Sequence, residues 1–204
     1  MKKRTAIAAV LVLGLSMMLI VGCGGSGDSK QAERYTELKA KAESLMAAAD
    51  KAGEKLQSES GRNSEIQTRA ITAAMAGDTS TYTPQEVSGL AEKTVALAPR
   101  IDEIKAMYDK LLDPEFKELG GLAAYVSYAK AMTKLLDLTR TLAELGGGFL
   151  AQVEPALVSG DTAAVKALVQ QNLDRIAKIQ AAGREAKAAL KEAQDIKSSQ
   201  RLGE

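Results

Sequence analysis

After an apolar run at its start, the chain repeats hydrophobic residues every three or four positions almost to its end, the period of helices that each turn one face to a core. Tyr35, Leu38, Ala42, Leu45, Ala49, Ala52 and Leu56 form a heptad-type stripe, and the spacing runs on through Glu59 and Asn63 to Ile66, Ala70 and Ala73. The polar stretch Ser58–Ser64, with Gly61 inside it, reads as weakened helix that continues. Gly77 and the run Asp78–Thr83 stop this first helix. Thr83-Pro84-Gln85-Glu86 then supplies a capping box, with Thr at N-cap, Pro at N1 and Glu at N3. The second stripe is Val87, Leu90, Thr94, Leu97, Ile101, Ile104, Tyr108 and Leu111, with Pro99 expected to bend the helix.

Asp113-Pro114 repeats the cap-then-proline start and opens a third helix after a very tight connection. Its apolar positions are Leu122, Tyr125, Val126, Ala129, Leu135, Leu138, Leu142, Leu145 and Phe149. Gly120-Gly121 and Gly146-Gly147-Gly148 interrupt it. Three glycines cost ~3 kcal/mol against alanine in a helix interior, so the triplet predicts a break, a kink or a site of close packing. Ser159-Gly160-Asp161-Thr162 reads as a helix end followed by a new N-cap. The fourth helix carries Val165, Leu168, Val169, Leu173, Ile176, Ile179, Ala186 and Leu190 and runs to about Ser198. Four stripes joined by short turns predict an all-α, up-and-down antiparallel four-helix bundle with kinked long helices, occupying residues 31–204.

Composition agrees: aromatic residues are 3% of the 204 and Trp is absent, which suits helices better than strands. The net charge is +1. Without Lys2, Lys3 and Arg4, the 27 basic side chains fall to 24 against 26 acidic ones, near balance. That balance offers no concentrated basic face for nucleic acid and no polybasic surface for a membrane. There is no histidine, and with a single cysteine an intrachain disulfide is impossible.

The start of the chain has the layout of a secretory signal: Lys2-Lys3-Arg4, then an apolar run from Thr5 to Val21. A membrane-spanning anchor would need ~20 apolar residues, more than this run offers, and Gly14 and Ser16 weaken it further. Leu19-Ile20-Val21-Gly22-Cys23 resembles the lipobox of bacterial lipoproteins. The resemblance covers only the leader. It implies that Leu19, Ile20, Val21 and Gly22 are recognised by a dedicated signal peptidase and that residues 1–22 are removed. It further implies that Cys23 carries diacylglycerol on its sulfur, with fatty acyl groups such as palmitate anchoring the mature chain. Two or more acyl chains hold a protein firmly where one holds marginally. Residues 23–30, rich in Gly and Ser, read as a lipidated flexible tether. Members retained in the inner membrane of two-membrane bacteria often carry Asp after the cysteine; Gly24 stands there instead and points to the outer membrane in such a host. The implied location is thus the cell membrane or outer membrane, on the extracytoplasmic side.

Little in the rest of the chain carries chemistry. With no histidine, the Glu-x-x-His pairs of di-iron bundles and Ser-His or Cys-His nucleophiles are excluded in their usual forms, and no Asp-rich calcium loop, Gly-x-Ser-x-Gly elbow or phosphate-cradling loop occurs. No catalytic, cofactor-binding or metal-binding residue is therefore assigned. Asp102 with Glu103, and Glu115 with Glu118, are carboxylate pairs expected on solvated helix faces. Tyr125 and Tyr128 could line a pocket, or be core tyrosines with tips at water. Asn63, Thr94 and Asn172 fall on or near the stripes, where a polar residue sets register. Met46, Met75, Met107 and Met132 look like gap fillers. The expected role is that of a non-enzymatic interaction or structural protein of the cell envelope, with an envelope protein or peptidoglycan as partner. The alternative is a helical-bundle module that binds a small or lipidic ligand.

Overall fold

A computed structural model describes residues 26–203 of the protein, and every regular element among them is helical. Cys23 and the leader residues Leu19–Gly22 lie outside the described residues. Helix α1 (Ser26–Ala76) is 51 residues long, about 76 Å at ~1.5 Å per residue. It passes through Ser58–Ser64 without a break, as the unbroken spacing predicted. It starts earlier than expected: Ser26–Lys30, read as flexible tether, form its first turns, because the Lys-, Glu- and Ala-rich segment beyond them is a strong helix former. Gly77 ends α1 in the left-handed region at φ 83°. Its N–H bonds the Ala74 carbonyl at 3.0 Å and the Asp78 N–H bonds Ala73 at 2.9 Å, the paired bonds of a Schellman cap.

The second stripe folds as three pieces rather than one bent helix: α2 (Pro84–Val87), α3 (Leu90–Val95) and α4 (Leu97–Asp109). Its start is as predicted. The Glu86 N–H donates to Thr83 Oγ1 at 3.3 Å and the Thr83 N–H donates to the Glu86 carboxylate at 2.8 Å. The first break is at Ser88, which is extended, and Gly89, whose φ is 74°. The Glu154 carboxylate takes the N–H groups of Gly89 and Ala91 freed there, at 2.6 and 2.8 Å. The second break, at Ala96, has a local cause: Pro99 cannot donate to the carbonyl of Val95 four residues back.

A 3-10 turn (Lys110–Leu112), the single-turn helix α5 (Pro114–Lys117) and a second 3-10 turn (Gly120–Leu122) lead into α6 (Ala123–Ser159). Asp113-Pro114 thus starts only one turn, the Asp113 side chain makes no capping bond, and the long helix begins after the two glycines. A Cβ on Gly121 would stand 2.6 Å from the Tyr35 ring, so the chain approaches α1 too closely there for a side chain. The glycine triplet does not break α6. A Cβ on Gly147 would lie 2.5 Å from Val95 Cγ2, so its absence lets α3 approach α6; of the readings left open, close packing is the one found. Gly160 closes α6 with φ 71°, and Asp161 caps α7 (Thr162–Gln171) by accepting the Ala164 N–H at 2.9 Å. The expected fourth helix divides at Asn172 into α7 and α8 (Leu173–Ser199), because Asn172 caps α7 and its amide donates to Gln152 Oε1 on α6 at 2.9 Å.

Cross-links set the directions of these elements. Lys41 with Glu115, Glu59 with Arg100, and Arg69 with Glu86 run α1 antiparallel to the segment from α5 back to α2. Asp137 with Lys105 and Glu154 with Gly89 run α6 antiparallel to α4 and α3. Gly148 with Arg175 fixes the start of α8 beside the last third of α6, and Asp50 meets both Tyr128 of α6 and Lys197 of α8, so α8 returns antiparallel. The core is in two parts. One gathers Tyr108, Leu111, Phe116, Leu122 and Tyr128 around the first half of α1, the other Val87, Leu90, Leu150, Val153, Leu157 and Val165 around its end. Between them, residues 57–65 of α1 bury no side chain.

Candidate functional site

The most unusual polar arrangement sits where α1, α4, α6 and α8 meet. Asp50 follows Ala49 of the first stripe, so it points to the edge of the buried face, with its side chain 23% exposed. Three donors converge on its carboxylate: the Tyr108 hydroxyl at 2.5 Å, the Tyr128 hydroxyl at 3.1 Å and Lys197 Nζ at 2.5 Å. The tyrosine rings pack edge to face, centroids 5.9 Å apart, and the Lys197 ammonium lies 5.9 Å from the centre of the Tyr128 ring. Burial, reinforced by the neighbouring Asp50 carboxylate, raises both tyrosines well above the usual phenol range. The hydroxyls therefore stay protonated and donate. Seven residues earlier on α1, Glu43 accepts the Tyr125 hydroxyl at 3.0 Å; burial and this bond push Tyr125 up to about 12.

Beside this cluster lies a groove of about 540 Å³ between the four helices. Leu56, Ile104, Leu136 and Ala193 form its buried floor, and Leu190, 37% exposed, stands at its rim. Gly53 faces it with nothing within 4 Å of where a Cβ would be. The groove lies beside the point where Asp50 of α1 and Lys197 of α8 are joined. Among the described residues, no hydrogen bond or ion pair links residues 51–76 of α1 to α8. A second, charged cleft of about 850 Å³ lies beside the polar waist of α1, among Glu59, Arg62, Arg69, Glu86, Lys93 and Arg100. Glu59 pairs with Arg100 and Arg69 with Glu86 across it, which makes it a solvated seam.

Tyr125 and Tyr128 are core tyrosines whose hydroxyls reach carboxylates of α1, and Tyr128 also lines the groove. The carboxylate pairs come apart: Asp102 pairs with Arg140, Glu115 with Lys41 and Glu118 with Arg34, all at the surface. Asn63 lines the charged cleft, Thr94 donates to the Leu90 carbonyl at 2.7 Å, and Asn172 caps α7. Of Met46, Met75, Met107 and Met132, Met46 is buried at 2% exposure while Met75 is 40% exposed. Asp50, Glu154 and Lys197 escaped the sequence reading. The one available signal was that Glu43 and Asp50 stand a heptad apart beside an apolar stripe.

No family model matches the chain, and no curated protein and no solved structure is significantly similar to it. Among the described residues, no helix is long and apolar enough to cross a membrane.

Proposed function

We propose that the protein is a non-enzymatic lipoprotein of the bacterial cell envelope, exported, cut before Cys23 and held on the extracytoplasmic side of the cell membrane or outer membrane by lipid on that cysteine. The observation that carries this reading is the sequence Leu19-Ile20-Val21-Gly22-Cys23 at the end of a charged-then-apolar leader. The helical part is taken as an up-and-down antiparallel four-helix bundle of kinked helices, a reading supported by the antiparallel cross-links between successive legs. Its work is contact, with an envelope protein or peptidoglycan as partner. Metabolic labelling with a fatty acid tests the anchor. The label is expected on the wild-type protein and lost in Cys23→Ser; labelling that persists in the variant overturns it.

A second reading has its own observation in favour. The mostly apolar groove between α1, α4, α6 and α8 falls within the ~300–1,000 Å³ typical of small-molecule sites, and supports a module that binds a small or lipidic ligand. Organic extraction of the protein purified from its native membranes, followed by mass spectrometry, tests it. A stoichiometric small molecule is expected, and an empty extract contradicts the reading.

A further inference from the structure

We propose that the bundle carries a built-in hinge: its two halves, each with its own core, swing relative to one another about the level of Gly146–Gly148. The inference comes from where the weak points of the four legs fall. The first core reaches as far as Leu56 on α1, Leu97 on α4 and Ala143 on α6, and the second begins at Ala70, Leu90 and Phe149. Each leg weakens its own helix inside the interval between. On α1 the interval holds the polar stretch Ser58–Ser64 with Gly61, where no side chain is buried. On the second leg it holds the break at Ala96, and on α6 the glycine triplet. On the fourth leg the cores reach Val165 and Ala193, no residue from 166 to 185 is buried, and the break at Asn172 falls there.

These four places are neighbours. The site of a Cβ on Gly147 is 2.5 Å from Val95 Cγ2, one residue before the Ala96 break. Arg175 donates to the Gly148 carbonyl at 3.0 Å, and Asn172 donates to Gln152, one turn along α6. Asn63 and Ile66 of α1 share the charged cleft with Ala96 and Leu97, and Glu59 pairs with Arg100 across it. Close-packed cores move as blocks, because deforming either one opens voids, so a bend concentrates where neither core reaches across. There it meets glycine and serine, poor helix formers, in place of interlocked side chains. Gly147 against Val95, where two legs approach with no side chain on α6 between them, is the pivot. The cleft of about 850 Å³ gives α1 room to move toward or away from the second leg, and the ion pairs across it are exposed and restrain it only weakly.

The test places pairs of nitroxide labels in the full chain on p-acetylphenylalanine, a residue whose ketone chemistry leaves Cys23 untouched. One pair, at the exposed positions Lys51 and Thr72, brackets the waist of α1; the other, at Glu37 and Lys51, lies within one half. Double electron–electron resonance reads both distances. In an unbent helix Lys51 and Thr72 are ~32 Å apart. A bend of ~20° about a pivot one interaxial distance, ~10 Å, from α1 changes that separation by about 3–4 Å. The Lys51/Thr72 distribution is therefore expected to be broader than the Glu37/Lys51 one by about that amount. Gly61→Ala, Gly146→Ala and Gly148→Ala combined add methyl groups that meet nothing closer than 3.8 Å, so the fold tolerates them while the helices stiffen. The combined variant is expected to narrow the Lys51/Thr72 distribution to the width of the Glu37/Lys51 pair and to leave that pair unchanged. A wild-type Lys51/Thr72 distribution already as narrow as the pair within one half overturns the hinge, and so does a width that the three substitutions leave as it was.

Discussion

Asp50→Ala removes the acceptor shared by two of the most deeply buried hydroxyls in the protein. Tyr108 is fully buried and Tyr128 is 4% exposed, so each loses a partner where water is scarce. An unsatisfied buried hydroxyl costs ~1–3 kcal/mol, which gives ~2–6 kcal/mol for the pair. Two considerations narrow this. Both rings border the open groove, so water reaches part of the site and favours the lower half of that range. The Lys197 side chain is 41% exposed, and its ion pair contributes at most ~1 kcal/mol more. The expected loss is therefore about 2–5 kcal/mol, or roughly 4–20 °C in Tm for a domain of this size. Urea unfolding followed by circular dichroism reads it directly. A companion variant gives the argument its edge: Asp50→Ala combined with Tyr108→Phe and Tyr128→Phe removes the hydroxyls along with their acceptor and should recover most of the lost stability. A loss under 1 kcal/mol in the single variant, or a triple variant no more stable than the single, would refute the claim that the carboxylate serves these hydroxyls.

Three further outcomes follow from the same network and from the cap of α2. The unfolded chain releases its tyrosine protons near pH ~10, whereas burial beside Asp50 holds those of Tyr108 and Tyr128 to much higher pH. Above pH ~10 the folded state thus binds more protons than the unfolded one, so their contribution is intact below that pH and stability falls as pH rises beyond it. Tm measured from pH 9 to 12 should drop less steeply in Tyr108→Phe/Tyr128→Phe than in the wild type; equal slopes would contradict this. At the start of α2, Thr83→Ala should cost ~1 kcal/mol in urea unfolding. The Thr83 N–H, with Arg69 assisting, holds the Glu86 carboxyl below the usual range, so the stabilisation from Glu86 is present above the ordinary carboxylate pKa and is lost as pH falls through the lowered one. Glu86→Gln should therefore destabilise at neutral pH and match the wild type in strong acid.

Signals confined to a few neighbouring residues were legible in the sequence. The capping box at Thr83, the stop at Gly77 and the Gly160-Asp161 junction each depend on groups within one turn, and each folds as its residues indicate. The continuation of α1 through Ser58–Ser64 was likewise readable from spacing alone. What the sequence concealed depends on a partner helix. Ser88-Gly89 breaks the second leg and Glu154, more than sixty residues away, takes the freed N–H groups. Asn172 ends α7 with Gln152 as its partner. Gly146–Gly148 should weaken a helix by local propensity, yet α6 runs through them, because the approach of Val95 to Gly147 repays the loss in packing. The groove was hidden for the same reason: it is a gap between helices, and of the residues that line it only Tyr128 stood out in the sequence as one that could border a pocket.

Lipid on Cys23 would show in the intact mass of the protein isolated from its native membrane. The expected species begins at Cys23, lighter than the 21.5 kDa precursor by the leader and heavier than residues 23–204 by diacylglycerol, with or without a further acyl group. An unmodified chain, or one still carrying residues 1–22, would contradict it.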